Sequence, residues 1–121
     1  MIAKRFRDTT VLVIDEVSML PGEYFTCLDI AARTARKSDK FMGGMKLLCV
    51  GDFGQLPPVD KERNGRFCFE TVSWRKGIKD VVTLDRPFRQ SVGGFFELLQ
   101  RVRVGNMRKG DWDMLNGAVG R

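Results

Sequence analysis

Four consecutive aliphatic residues, Val11-Leu12-Val13-Ile14, run straight into two acids, Asp15-Glu16. An apolar run of this length with no polar alternation predicts a short strand buried on both faces, as in parallel sheets covered by helices. Similar runs recur at residues 46–50 and 81–84. Between the first two, Tyr24, Leu28, Ala31 and Ala35 fall at helical spacing, which predicts a helix over residues 23–37 with Pro21 near its start. Arg33, Arg36 and Lys37 lie in its last turns, where positive charge suits the helix dipole. Gly43-Gly44 then breaks the chain before the second strand.

Further along, residues 71–77 read as a short helix leading into the third strand. Phe95, Phe96, Leu98, Leu99 and Val102 mark another helix that ends near Gly105. A last one is expected over residues 111–119, with Asp111 as N-cap and Trp112 packing inward. Strand and helix alternate, so the fold class is α/β with a parallel sheet and right-handed crossovers.

In a parallel sheet the carboxyl ends of the strands share one edge, and ligands of open α/β sheets bind there. The first strand delivers Asp15-Glu16. The second delivers Gly51-Asp52-Phe53-Gly54-Gln55, and the third Asp85-Arg86-Pro87-Phe88-Arg89-Gln90. Two neighbouring carboxylates repel unless something positive lies near, and a hydrated Mg²⁺ takes one or two carboxylates plus phosphate oxygens. The plain alternatives stay open. A strand end can simply turn polar at solvent, Asp52 and Gln55 can cap a Gly/Pro-rich turn, and Arg89 can pair with Asp85.

Composition narrows the chemistry. The 121 residues suit one domain, with 43% hydrophobic and 30% charged positions. A net charge of +6 and a pI near 9.6 favour polyanionic partners, although the cations are scattered in short runs. No apolar stretch approaches the length of a membrane helix, and the basic start lacks the apolar core of a secretory signal. Three widely spaced cysteines suit a reducing, intracellular compartment and no disulfide framework. Histidine is absent. That excludes Ser-His and Cys-His catalysis and any imidazole base, leaving carboxylates, Arg, Lys and backbone amides.

A metal-bound triphosphate accounts for the converging set. Asp15 is the candidate ligand of Mg²⁺ through its water shell, and Glu16 the candidate base for an attacking water. Gln55 offers an amide that reaches a γ-phosphate and a water together, and Arg89 a cation for charge developing on the transferred phosphoryl group. Yet no Gly-Lys-Ser or Gly-Lys-Thr occurs anywhere in the chain, so the usual phosphate-binding loop is not in it.

These segments resemble a known family. Leu12-Val13-Ile14-Asp15-Glu16-Val17-Ser18-Met19-Leu20 is similar to motif II, the Walker B segment, of superfamily 1 DNA helicases. Leu47 through Gly51-Asp52-Phe53-Gly54-Gln55-Leu56-Pro57-Pro58-Val59 resembles motif III, and Leu84 through Phe88-Arg89-Gln90 resembles motif IV. Glu23-Tyr24-Phe25, Leu28-Asp29, Ala31-Ala32-Arg33, Ala35-Arg36 and Gly43-Gly44 are similar to the stretch that marks the Pif-type (petite integration frequency) helicases.

The resemblance implies an ATP-dependent 5′-to-3′ DNA helicase of repair, recombination and telomere or organellar genome maintenance. Its cofactors would be ATP and Mg²⁺, its partners single-stranded DNA and DNA junctions, with no membrane involved. The compartment would be the nucleus or mitochondrion in a eukaryote. Asp15 and Glu16 match the Mg²⁺ and water-activating acids, Gln55 the γ-phosphate sensor, and Arg89 the motif IV arginine.

Residues 1–121 would be the C-terminal half of a RecA-like (P-loop NTPase) motor domain, a single incomplete domain. It would lack the Walker A strand and loop, and the second RecA-like domain. The isolated chain is then expected to be marginally stable, with unpaired sheet edges, and to hydrolyse little or no ATP. The competing expectations are a non-catalytic nucleic-acid-binding remnant and a different motor of the RecD-like or RNA helicase kind.

Overall fold

A computed structural model describes residues 2–59, 66–88 and 93–119. The chain divides into two compact units, Met1–Val81 and Val82–Arg121.

The first unit is built on a strand–helix–strand crossover. Strand β1 (Val11–Ile14) and strand β2 (Lys46–Cys49) pair in parallel, with Val11 opposite Lys46 and Ile14 opposite Cys49. Helix α1 (Ile2–Asp8) precedes them, helix α2 (Gly22–Arg36) connects them, and helix α3 (Val72–Gly77) follows. The α/β class and the parallel sheet agree with the pattern of apolar runs. Helix α1 was not expected, because Ile2-Ala3-Lys4-Arg5-Phe6-Arg7 carries no apolar stripe; only Phe6 packs against the core.

The core of this unit forms on one face of the sheet. Val17, Phe25, Ala32, Met42, Met45 and Cys68 are buried together, with Leu12, Ile14, Leu47, Cys49 and Trp74 packed against them. Burial at both sheet faces, as the unbroken apolar run suggests, is not what the unit provides. Val11, Val13 and Leu48 alternate with the core residues and stay exposed. Strand geometry sends successive side chains to opposite faces, and the core of the unit sits on only one of them.

The buried stripe of α2 is shifted from the expected one. Tyr24 and Ala31 are exposed, while Phe25, Asp29 and Ala32 are buried. The shift was hidden because the stripe contains a carboxylate. Asp29 Oδ1 accepts the Met42 N–H at 2.8 Å, and Oδ2 accepts the Ser73 hydroxyl at 3.2 Å.

Arg36, expected to complement the helix dipole, does something more specific. Its Nε donates to Gly43 O at 2.8 Å, and its Nη1 to the carbonyls of Phe6, Arg7 and Thr9 at 2.7–3.0 Å. One guanidinium thus caps the end of α1 and ties it to the turn before β2.

The third expected strand does not form. Residues 81–84 join no ladder among the described residues, and Val81, Val82 and Leu84 are exposed. A parallel strand is stabilised through its neighbour's hydrogen bonds. Among the described residues no further strand lies alongside residues 81–84 to supply them.

The second unit contains helix α4 (Gly94–Arg103) and helix α5 (Lys109–Asn116). Two expectations for α5 are corrected. Its N-cap is Arg108, and Asp111 sits in the first turn, where its Oδ2 accepts the Arg108 N–H at 2.9 Å. Trp112 is exposed, and Asp111 is the buried residue.

The Arg101 guanidinium on α4 donates through Nε and Nη2 to both oxygens of Asp111. That fork, followed by the Arg108 N–H, holds the Asp111 carboxyl at about 2, below its ordinary 3.8. A depressed carboxyl contributes stability that is fully present above its ordinary value and is lost as pH falls through the folded one. We therefore expect the α4–α5 pairing to persist to about pH 4 and to loosen towards pH 2. Carboxyl ¹³C titration of the full chain checks this: Asp111 should titrate near 2, and Arg101→Gln should move its midpoint up. A midpoint unchanged by Arg101→Gln would show that the fork is not the cause.

Among the described residues no helix is long and apolar enough to cross a membrane.

Candidate active site

β1 ends at Ile14, and both acids that follow are exposed. Glu16 takes a left-handed backbone, φ 50° and ψ 42°. That region is costly for a residue with a side chain and is concentrated at functional sites. The Glu16 N–H donates to Asp15 Oδ1 at 2.9 Å, which fixes one carboxylate against the next residue's backbone.

The reversal at Glu16 laces the two strand ends together. Val50 N donates to Ile14 O at 2.8 Å, and Val17 N donates back to Val50 O at 3.0 Å. Gly51 lies at this crossing. A Cβ there would stand 2.9 Å from Val17 N and 3.1 Å from Val17 Cγ1, so the close approach requires glycine. Ser18, in the 3-10 turn that follows, is buried, and its hydroxyl has no partner among the described residues.

Beyond Gly51 the chain makes a tight turn closed by Asp52. Its Oδ1 accepts the Gly54 N–H at 2.9 Å, and its carbonyl accepts the Gln55 N–H at 3.0 Å. The Gln55 amide donates through Nε2 to Asp52 Oδ2 at 3.1 Å. Asp52 therefore does cap the turn, as one plain alternative held, and in doing so it orients the Gln55 side chain.

Parallel pairing places Asp15, Glu16, Asp52 and Gln55 on one edge of the β1–β2 sheet. Of the four candidate residues, Asp15, Glu16 and Gln55 share this edge. Arg89 lies outside the described residues, as does Gln90. Asp85, expected on the same edge, belongs to the second unit and follows a segment that is not a strand.

Among the described residues no three or more His, Cys, Asp or Glu side chains gather to hold a metal. A hydrated Mg²⁺ asks for less, since it binds through one or two carboxylates and fills its shell with water and phosphate oxygens. Two exposed carboxylates at a sheet edge are hard oxygen donors and fit that demand. The Cys49 and Cys68 thiols do not compete. Burial, with a smaller contribution from Cys68, pushes the Cys49 thiol up to about 11, and burial raises Cys68 as well. Both stay protonated at neutral pH, and a thiol that keeps its proton is a poor ligand and nucleophile.

An aromatic cluster beside the 52–55 turn has no counterpart in the sequence pattern. The Phe53 ring lies edge-on to Phe69 at 4.8 Å, Trp74 at 5.9 Å and Phe67 at 6.0 Å. These rings come from three separate stretches of chain, and no periodicity links them. Only the density of aromatics in Phe67-Cys68-Phe69 and Trp74 was there to be noticed.

The PIF1-like helicase family profile matches residues 1–112. The chain is 41% identical over 107 residues to the ATP-dependent DNA helicase PIF1 of Saccharomyces cerevisiae, covering 86% of this chain and 12% of that protein. It therefore spans well under two thirds of that relative. Its fold matches the crystal structure of Pif1 helicase from Candida albicans with a TM-score of 0.84 and 36% identity, over 90% of this chain and 24% of that one. Pif1 helicase from Bacteroides, in complex with ADP-AlF3 and ssDNA, matches with a TM-score of 0.85 and 27% identity, over 93% of this chain and 28% of that one. With the family profile covering nearly the whole chain, and the segments that resemble motifs II and III at one sheet edge, this chain belongs to the PIF1-like helicase family.

Proposed function

We propose that residues 1–121 are the C-terminal half of the first RecA-like motor domain of an ATP-dependent DNA helicase, and that the edge of the β1–β2 sheet is half of its ATP-hydrolysing site. The observation that carries this reading is the parallel pairing that sets Asp15-Glu16 beside the Asp52-closed turn bearing Gln55. Asp15 would hold Mg²⁺ through its water shell, and the ion, when bound, neutralises charge on the phosphate oxygens of ATP. Glu16 orients the attacking water and takes its proton. Gln55 senses the γ-phosphate through its amide. Arg89 stabilises charge on the transferred phosphoryl group.

The relatives named above support ATP and DNA as ligands, and the Bacteroides structure holds single-stranded DNA. We extend this to translocation in the 5′-to-3′ direction, to DNA junctions, and to repair, recombination and telomere or genome maintenance. The remainder of the motor, with its Walker A segment and second RecA-like domain, is the required partner. Three free cysteines among the described residues, Cys27, Cys49 and Cys68, support a reducing compartment inside the cell, the nucleus or mitochondrion in a eukaryote.

The test compares the chain alone with a chain extended to include a Gly-Lys-Thr loop and the second motor domain. Only the extended chain should hydrolyse Mg²⁺-ATP, with stimulation by single-stranded DNA. Robust turnover by the chain alone would show that the missing loop is not needed. A second reading, a non-catalytic nucleic-acid-binding remnant, draws on the net charge of +6 together with the absence of Gly-Lys-Ser or Gly-Lys-Thr. Salt-sensitive binding of single-stranded DNA by the chain, indifferent to Mg²⁺-ATP, would favour it.

A further inference from the structure

Among the described residues, the hydrogen bonds that close the 52–55 turn run between Asp52 and residues two or three positions on. Such a turn, with Gly54 in it and exposed on both sides, opens locally at little cost unless something ties it to a rigid element. The Phe53 side chain reaches away from the turn to Phe67, Phe69 and Trp74. It is 36% exposed, and its ring meets three others edge-on.

Those rings are themselves anchored. Phe67 and Phe69 stack on each other at 5.0 Å with planes 12° apart. The backbone around Phe67 is pinned by its bridge to Pro21, by Gly22 N donating to Arg66 O at 2.8 Å, and by its own N–H donating to Glu70 Oε2 at 2.7 Å. Trp74 stands on α3 and packs against the fully buried Phe25 of α2 at 5.3 Å. The three contacts of Phe53 are edge-to-face, the arrangement in which one ring's positive edge meets another's negative face. That geometry fixes direction as well as distance.

We propose that Phe53 is a positioning residue whose ring, set edge-on among Phe67, Phe69 and Trp74, clasps the 52–55 turn to α3 and so fixes where the Gln55 amide points. The nucleotide-sensing half of this statement rests on the proposed function. The clasp itself does not, and it can be measured on the chain with no nucleotide present.

The experiment is ¹⁵N relaxation on the 121-residue chain, reading order parameters at the Gly54 N–H, the Gln55 N–H and Gln55 Nε2. Wild type should read as rigid backbone, about 0.85, at the two amides, and Phe53→Ala should take them below about 0.6. The amides of β2 and α2 should not change. Phe53→Tyr, which keeps the ring, should restore rigidity. Phe53→Leu, which keeps bulk without a ring edge, should fall between the two and serves if the alanine variant does not fold.

Unchanged order at Gly54 and Gln55 in Phe53→Ala or Phe53→Leu would overturn the proposal, because Asp52 alone would then hold the turn. Equal loosening across β2 and α2 would also overturn it, by reducing Phe53 to an ordinary packing residue. Kinetics of Gln55→Ala in the extended chain bear on the nucleotide reading alone, so the two failures are distinguishable.

Discussion

Glu16→Gln, introduced into a chain extended through the phosphate-binding loop and second motor domain, is expected to lower kcat for ATP hydrolysis by about 10²–10⁴-fold. The substitution keeps the side chain's length and its hydrogen-bonding oxygen but removes the group proposed to take the proton from water. The KM for ATP should change little, because Glu16 is assigned to the water and not to ground-state binding of the phosphates. Its backbone supports that separation. Glu16 occupies the left-handed turn that lets Val17 reach Val50, so its position is set by strand-end hydrogen bonds that glutamine leaves intact. Steady-state ATPase assays at saturating single-stranded DNA check it. A kcat within a few-fold of wild type would remove Glu16 from the role of base. Asp15→Asn in the same chain serves as the contrast, since weakening the ligand proposed for Mg²⁺ should raise the Mg²⁺ concentration needed for half-maximal rate.

Glu16 and Asp15 could be found from sequence because everything that places them is local or periodic. A four-residue aliphatic run makes β1, a second makes β2, and parallel pairing then puts both carboxyl ends on one edge without further information. Helix α2 was equally legible in extent, from Pro21 at its start to the basic last turn. Its buried face was not. The stripe passes through Asp29, and a carboxylate gives no sign in a hydrophobic pattern that it will be buried by partners thirteen and forty-four residues away.

Residues 81–84 show the opposite failure. Their apolar run is as strand-like as the first two, yet a strand is a property of pairs, and the pattern cannot report that a partner is missing. The Phe53 cluster was out of reach for a third reason. Edge-to-face contacts among residues 53, 67, 69 and 74 follow from how the chain crosses itself after β2, and no single element carries the signal. Charge misled in a related way. Arg36 and Arg101 add to a basic balance that favours polyanions, but both spend their guanidinium groups on the chain's own carbonyls and carboxylates.

The largest stability effect outside the apolar core should come from Asp29. It is 5% exposed and accepts two hydrogen bonds, one from Met42, whose N–H is buried, and one from Ser73. Met42 has φ 50°, and Gly43 follows at φ 61°, where a Cβ would stand 2.7 Å from Ala32 O. The Asp29 carboxylate therefore holds a strained turn against α2 at the point where the chain enters β2, and through Ser73 it also holds α3.

Asp29→Ala removes both acceptors and leaves a buried backbone N–H without a partner, at a cost of about 3 kcal/mol. Among the described residues the sheet has two strands and one exposed face, so that is a large share of a stability expected to be marginal. Urea denaturation followed by circular dichroism should show Asp29→Ala largely unfolded or shifted to a much lower midpoint. Asp29→Asn, which keeps an oxygen for Met42, should lose less than half as much. Equal losses for the two substitutions would mean that the charge matters, through Arg33 Nη1 at 3.9 Å from Asp29 Oδ2, and not the acceptor oxygen. That alternative is the weaker one physically, because a 3.9 Å approach by a part-exposed guanidinium is worth little beside a 2.8 Å bond to a buried N–H. The acceptor at position 29 is what lets the turn before β2 form, and β2 in turn carries the 52–55 turn to the edge beside Glu16.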